Sequence, residues 1–256
     1  LESALSAEAV AAVLRGALGA GVVLVGRSPP FRGGALRQAR THLARSGPRL
    51  LPYLVVNYAL PHALARRGRG WLARIAARRG IPVLDMPDMN GAAAHDALHA
   101  VRPDLLVTLH CDQILSAATL AIPRLGGLNL HPSLLPLHRG PVPTIHALAE
   151  PVPRFGVTVH RLVPRIDAGP ILAQRAVELP PGVTASAAAR ALHLAGATLL
   201  EQTVLDVAAG CAAERTATAL PYCPFPPPAL LRGLARQGRR VVGGRDIAAA
   251  LRARVG

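Results

Sequence analysis

Compact apolar runs alternate along the chain with longer stretches of helical composition, and this alternation predicts the elements. Ser6–Leu18 has helical composition, and Gly21–Gly26 (GVVLVG) is a β-branched run closed by glycine, the form of a buried parallel strand. Arg27–Gly34 is predicted as a loop. Leu36–Arg45, Leu50–Ala65 and Gly70–Arg79 then read as helical, the middle one interrupted by Pro52 and Pro61. Strands are predicted at Ile81–Asp85, Asp104–Leu109, Leu128–His131, Phe155–Leu162 and Ile171–Leu179. Helices are predicted at Ala92–Val101, in the segment opened by Cys111–Leu115, at Thr144–Glu150 and, rich in Ala and Leu, at Thr184–Ala209. Alternating β and α elements predict an α/β fold with a mainly parallel, doubly wound sheet and helices on both faces. Composition shifts at Gly210, so residues 1–209 are expected as one domain and 210–256 as a short C-terminal appendage.

Composition changes this picture little but excludes several chemistries. The 256 residues carry a net charge of +15, which by itself suggests an anionic partner. All 29 basic residues are arginine, however, and Ala, Gly and Pro are abundant, so the charge reads as compositional bias. No basic run is interleaved with stacking aromatics, which argues against nucleic acid. Without lysine there can be no Schiff base and no P-loop lysine. Cys111, Cys211 and Cys223 are too far apart for a metal or redox pair, so a reducing, cytoplasmic setting is expected. The longest apolar stretch, Leu50–Ala65, is too short to span a bilayer and is expected as a buried or subunit-facing helix, a candidate homodimer surface. No signal peptide is evident. The chain begins at Leu1, and residues are expected to precede it in the natural protein.

The chemistry concentrates in Gly126–Gly140, GGLNLHPSLLPLHRG. On a strand, Asn129 and His131 leave by the same face, and the Pro-rich segment after them must loop around whatever sits there. Asp167 follows at a strand end, where its carboxylate can fold back beside the imidazole. An amide and an imidazolium bind a developing oxyanion; a carboxylate orients the imidazole, raises its pKa and relays a proton. This suits acyl or formyl transfer to an amine. Singly, Asn129 also reads as a turn residue, His131 as a core histidine and Asp167 as a loop cap. His95 and His99 share a helix face but lack a third ligand, so no metal is expected. His110 and Cys111 are expected to pack, and His138, His146 and His160 to be surface or structural.

These residues stand in longer motifs. Asn129-Leu130-His131-Pro132-Ser133-Leu134-Leu135-Pro136 with Arg139-Gly140, then Gly156-Val157-Thr158-Val159-His160 and Asp167-Ala168-Gly169-Pro170-Ile171, resemble the signature of the folate-dependent formyltransferases. The resemblance covers about Ile81–Ala209. It implies a Rossmann-like fold and 10-formyltetrahydrofolate as formyl donor. Asn129 and His131 would bind the oxyanion, and Asp167 would assist proton transfer. Backbone groups of Asp112, Gln113, Ile114 and Leu115, and of Val163, Pro164, Arg165 and Ile166, would hold the folate; Ser133 and Arg139 lie in the loop facing the acceptor. The expected acceptor is a small amine, an amino sugar or amino acid, since only about 47 residues follow Ala209 where methionyl-tRNA formyltransferases usually carry a longer nucleic-acid-binding domain. Methionyl-tRNA formyl transfer, 10-formyltetrahydrofolate hydrolysis and non-catalytic folate binding are the alternatives. Gly21–Gly26 resembles the family's second strand, so the opening strand is absent from this chain or unrecognisable in it, and Pro29–Arg69 match no acceptor site.

Overall fold

The computed structural model of the chain describes residues 3–29, 34–64 and 70–252. Parts of the Arg27–Gly34 loop, of the Leu50–Ala65 helix and of the Pro29–Arg69 segment therefore lie outside the described residues. The fold is the expected mixture of parallel strands and packed helices. Strands β1 (Val25–Arg27) and β2 (Val83–Asp85) pair in parallel; β3 (Leu106–Leu109), β4 (Gly127–His131), β5 (Gly156–Arg161) and β6 (Ile171–Ala176) form a four-stranded sheet in that order. Within it β3 and β4 are parallel, while β4–β5 and β5–β6 are antiparallel. The turn between β5 and β6 carries residue 167 back to the end of β4.

Helices α1 (Ala7–Arg15), α2 (Ala35–Ser46), α3 (Leu51–Leu54), α4 (Leu60–Leu64) and α5 (Trp71–Ala77) precede β2. Then come α6 (Ala92–Val101), α7 (Ala117–Ala121), α8 (Pro143–Leu148), α9 (Ala185–Ala208), α10 (Pro228–Arg236) and α11 (Gly244–Arg252). Two expectations shift. Strand Gly21–Gly26 is replaced by a 3-10 turn, Ala17–Gly21, and the three-residue β1. The proline at 82 has no N–H to extend the ladder upstream, and Val25 N–H donates to its carbonyl at 3.0 Å. The Cys111–Leu115 segment is irregular rather than a first helical turn. Helix α7 starts at Ala117, six residues later than expected, where the Ser116 hydroxyl caps it by accepting from Thr119 N–H at 3.1 Å.

Between α3 and α4 the chain makes a π-helical turn, Val55–Ala59, and buries Leu50, Tyr53, Val56 and Asn57 within this chain. Helix α9 lies close against the sheet because Gly196 has no side chain: a Cβ there would stand 2.5 Å from Leu130 Cδ1. Residues after Ala209 fold back. Leu231 and Leu234 join a core with Leu50, Tyr53, Ile145 and Leu148. Arg239 donates to the carbonyls of Leu148 and Glu150, and buried Asp246 pairs with Arg190 and accepts from the Thr184 hydroxyl.

Candidate active site

The carboxyl ends of β3 and β4, where ligands gather in such sheets, open into a cleft of about 880 Å³. Asn129, His131 and Asp167 all line it. Asp167 takes a left-handed φ of 44°, which aims its side chain back at β4; a non-glycine residue held there is strained, as functional sites often are. Its Oδ1 lies 3.5 Å from His131 Nδ1 and 3.4 Å from Asn129 Nδ2, and its Oδ2 accepts from Gly140 N–H at 2.9 Å.

His160, expected at the surface or in a structural role, is 1% exposed and lies inside this cluster. Its Nδ1 is 2.8 Å from the Arg161 carbonyl, which assigns the proton to Nδ1 and leaves Nε2 to accept from Asn129 Nδ2 at 3.1 Å. Antiparallel register sets Asn129 opposite His160, a neighbour that a parallel reading cannot supply. Thr108, set beside Asn129 by the β3–β4 register, donates its hydroxyl to Asn129 Oδ1 at 2.7 Å and so fixes which way the amide points. Of the two Nδ2 hydrogens, one goes to His160 and the other makes only the long contact to Asp167.

Electrostatics corrects one expectation. Burial lowers the His131 pKa below its ordinary value and outweighs the Asp167 carboxylate, which raises it; the resting ring is neutral rather than imidazolium. Burial alone would raise Asp167, yet the neighbouring His131 and His160 imidazoles and the Gly140 N–H bring it down to about 2. Asp167 is thus the charged member of the pair.

The other expected residues fall in two groups. Asp112, Gln113, Ile114 and Leu115 line the cleft, as do Val163, Arg165 and Ile166, whereas Pro164 does not. Their segment is anchored by side chains: Ser28 donates to Asp112, Gln113 Nε2 donates to Ser28 and to the Met86 carbonyl, and Asn90 Nδ2 donates to the Ile114 carbonyl. Ser133 and Arg139 do not line the cleft. The Ser133 hydroxyl donates to the Leu137 carbonyl, and buried Arg139 donates to the carbonyls of Ile166, Asp167 and Leu220. These loop carbonyls satisfy the Arg139 fork out of reach of solvent. That loop is clamped further by residues 220–225, where Cys223 N–H donates to the Arg139 carbonyl at 2.8 Å and Tyr222 and Phe225 add to the cleft wall.

Away from the trio, His95 contacts the Thr119 hydroxyl, His138 pairs with Glu150, and His146 contacts the Pro224 carbonyl. Among the described residues no group of three His, Cys, Asp or Glu is placed to hold a metal, and no helix is long and apolar enough to cross a membrane. His110 and His193 also line the cleft and are stacked. Burial lowers His110 well below its ordinary value and His193 to about 4. A histidine held neutral in the fold stabilises it above its unfolded pKa, and that stability is lost as pH falls through the folded value. Acid unfolding should therefore set in between about pH 6.5 and 4, with His193 alone contributing roughly 3 kcal/mol. In urea titrations across this window, a His193→Gln variant should show a shallower loss of stability than wild type; parallel curves would contradict this.

Fold and cleft define an α/β protein whose ligand site combines an amide, two imidazoles and a carboxylate at strand ends. Residues 82–204, just under half of the chain, match the formyl transferase family. Curated relatives include methionyl-tRNA formyltransferases of Roseiflexus sp. (strain RS-1), 41% identical over 59% of this chain and 47% of that one, and of Chloroflexus aggregans, 42% identical over 53% and 44%. The chain thus spans less than half the length of these relatives. Among solved structures, a sugar 3N-formyl transferase crystallised in the presence of dTDP and 5-N-formyl-THF superposes with a TM-score of 0.56 at 15% identity, covering 100% of this chain and 77% of that one. A glycinamide ribonucleotide transformylase from Symbiobacterium toebii gives 0.50 at 24% identity, covering 62% and 87%. At these identities the structures speak for the fold alone.

Proposed function

We propose that the chain transfers a formyl group from 10-formyltetrahydrofolate to a primary amine, with a small amine of the amino sugar or amino acid type as acceptor. The observation that carries this reading is the convergence of Asn129, His131 and Asp167 on one wall of the cleft, with the amide held in a single orientation by Thr108 and His160. The segments 112–115 and 163–166 border the same space, where a pterin edge would meet backbone donors and acceptors. Both ring nitrogens of His131 face acceptors, Nδ1 the Asp167 carboxylate and Nε2 the His138 carbonyl at 3.3 Å. The ring is fully satisfied only when doubly protonated, while burial keeps it neutral at rest.

Negative charge growing on the formyl oxygen would reverse that balance. The amine nitrogen bonds to the formyl carbon, His131 takes up the amine's proton, and the imidazolium and the second Asn129 N–H hold the oxyanion. Collapse breaks the bond to N10, which receives the proton as tetrahydrofolate leaves. Asp167 stabilises the transient imidazolium across 3.5 Å.

A second acceptor, methionyl-tRNA, is favoured by the relatives at 41–42% identity. Incubation of the protein with 10-formyltetrahydrofolate and, separately, an amino sugar nucleotide, an amino acid panel or charged initiator tRNA separates the two readings by formylated product. Formate release without any amine would instead point to hydrolysis, and no turnover in any arm would leave only folate binding.

A further inference from the structure

The imidazole pair in the cleft outside the trio has one unanswered atom. His110, which follows β3 with a φ of 60°, and His193 on α9 stack with centroids 5.5 Å apart and planes inclined by 16°. His110 is fixed at both nitrogens, Nδ1 by the Ser3 hydroxyl and Nε2 by the Tyr58 hydroxyl, each at 3.0 Å. His193 is fixed at one. Its Nδ1 lies 2.7 Å from the Ala189 carbonyl one turn earlier, so Nδ1 carries the proton and Nε2 presents a lone pair. Among the described residues Nε2 has no protein hydrogen-bond partner, although the side chain is 3% exposed and lines the cleft.

That nitrogen opens onto the cleft, where a donor on a bound ligand would meet its lone pair. One further observation bears on that partner. His193 stands close enough to His131 that a proton on that ring would act on it, and burial keeps His193 itself uncharged through the neutral range.

We propose that His193 Nε2 receives the attacking amine: it accepts one N–H of the acceptor's amino group and turns the nitrogen lone pair toward the formyl carbon held at Asn129 and His131. This rests on the formyl-transfer reading above. The His110 ring, locked by Ser3 and Tyr58, holds the His193 plane by stacking. In the transfer the amine–formyl bond forms, the formyl–N10 bond breaks and the amine proton ends on N10; His193 lends an acceptor and keeps no proton.

The test uses the full chain with 10-formyltetrahydrofolate and hydroxylamine, an amine already unprotonated near neutral pH, so that aiming is read apart from deprotonation. Formohydroxamate formation by wild type, His193→Ala and His193→Gln is compared, and 5-formyltetrahydrofolate binding is measured by calorimetry on each. The rate per unit hydroxylamine should fall about tenfold or more in His193→Ala, with folate affinity unchanged, and His193→Gln, whose carbonyl can accept, should recover most of it. An unchanged rate in His193→Ala, or a loss that follows weaker folate binding, overturns the inference. Wild type that binds 5-formyltetrahydrofolate but gives no hydroxamate also overturns it, whereas failure to bind the folate brings down the formyl-transfer reading itself.

Discussion

Formyl transfer by the His131→Ala variant is expected to run about 10²- to 10³-fold slower than wild type, with 5-formyltetrahydrofolate affinity little changed. The imidazole is 5% exposed and surrounded by acceptors, so in water-poor surroundings its donated hydrogen bond strengthens as charge builds on the formyl oxygen. Loss of one such donor removes about 3 kcal/mol of transition-state stabilisation. Asn129→Ala should lose a similar amount, because its second Nδ2 hydrogen is the other donor available to that oxygen. Single-turnover measurement of the formylated amine separates this from product release. If both variants turn over at the wild-type rate while binding folate, the oxyanion assignment is wrong.

Much of this arrangement was legible in the chain because it follows from periodicity two. Asn129 and His131 alternate with Leu128 and Leu130; the two leucines are buried at 0% and 1% exposure, and the polar pair borders the cleft, where Leu130 also contributes to the lining. Helix α6 was legible at both ends, since Gly91 precedes it and a left-handed Arg102 closes it. Helix α9 was legible as an element, but its phase was not: it buries Ala185, Ala188, Leu192, Leu200 and Val207 amid residues of nearly uniform apolarity, so nothing in the pattern marked His193 as turned inward.

Other parts of the site depend on contacts distant in sequence. His160 reaches Asn129 only because β5 runs antiparallel to β4, and Thr108 because β3 runs parallel to it; strand direction cannot be read from a single short apolar run. The left-handed φ at Asp167 breaks the local preference of a non-glycine residue, a conflict tolerated where surrounding contacts over-determine the backbone. Arg139 was legible as a loop arginine, yet its partners are the carbonyls of residues 166 and 167 and of residue 220, the last lying outside the motifs altogether.

That clamp makes Gly140→Ala the second large effect. Gly140 has φ 133°, and an added Cβ would stand 2.2 Å from the Cys223 carbonyl oxygen and 3.0 Å from the Tyr222 ring. Both partners belong to the segment tied down by Cys223 N–H to the Arg139 carbonyl and by Arg139 to the Leu220 carbonyl, so neither can yield alone. The backbone conformation and the clash together should cost on the order of 3 kcal/mol or more, a fall of roughly 6–12 °C in Tm for a domain of this size. Gly182→Ala provides the control, because its φ is 74° with nothing within 4 Å of the added atom; it carries the strain without the collision and should lose only about 1 kcal/mol. Activity should separate the two more sharply. Gly140 N–H is the donor that holds Asp167 Oδ2, so moving it frees the carboxylate from the geometry that supports His131. Gly140→Ala should therefore lose transfer even at temperatures where it stays folded, while Gly182→Ala keeps it. Equal activity in the two folded variants would show that the grip on Asp167 does not depend on this glycine.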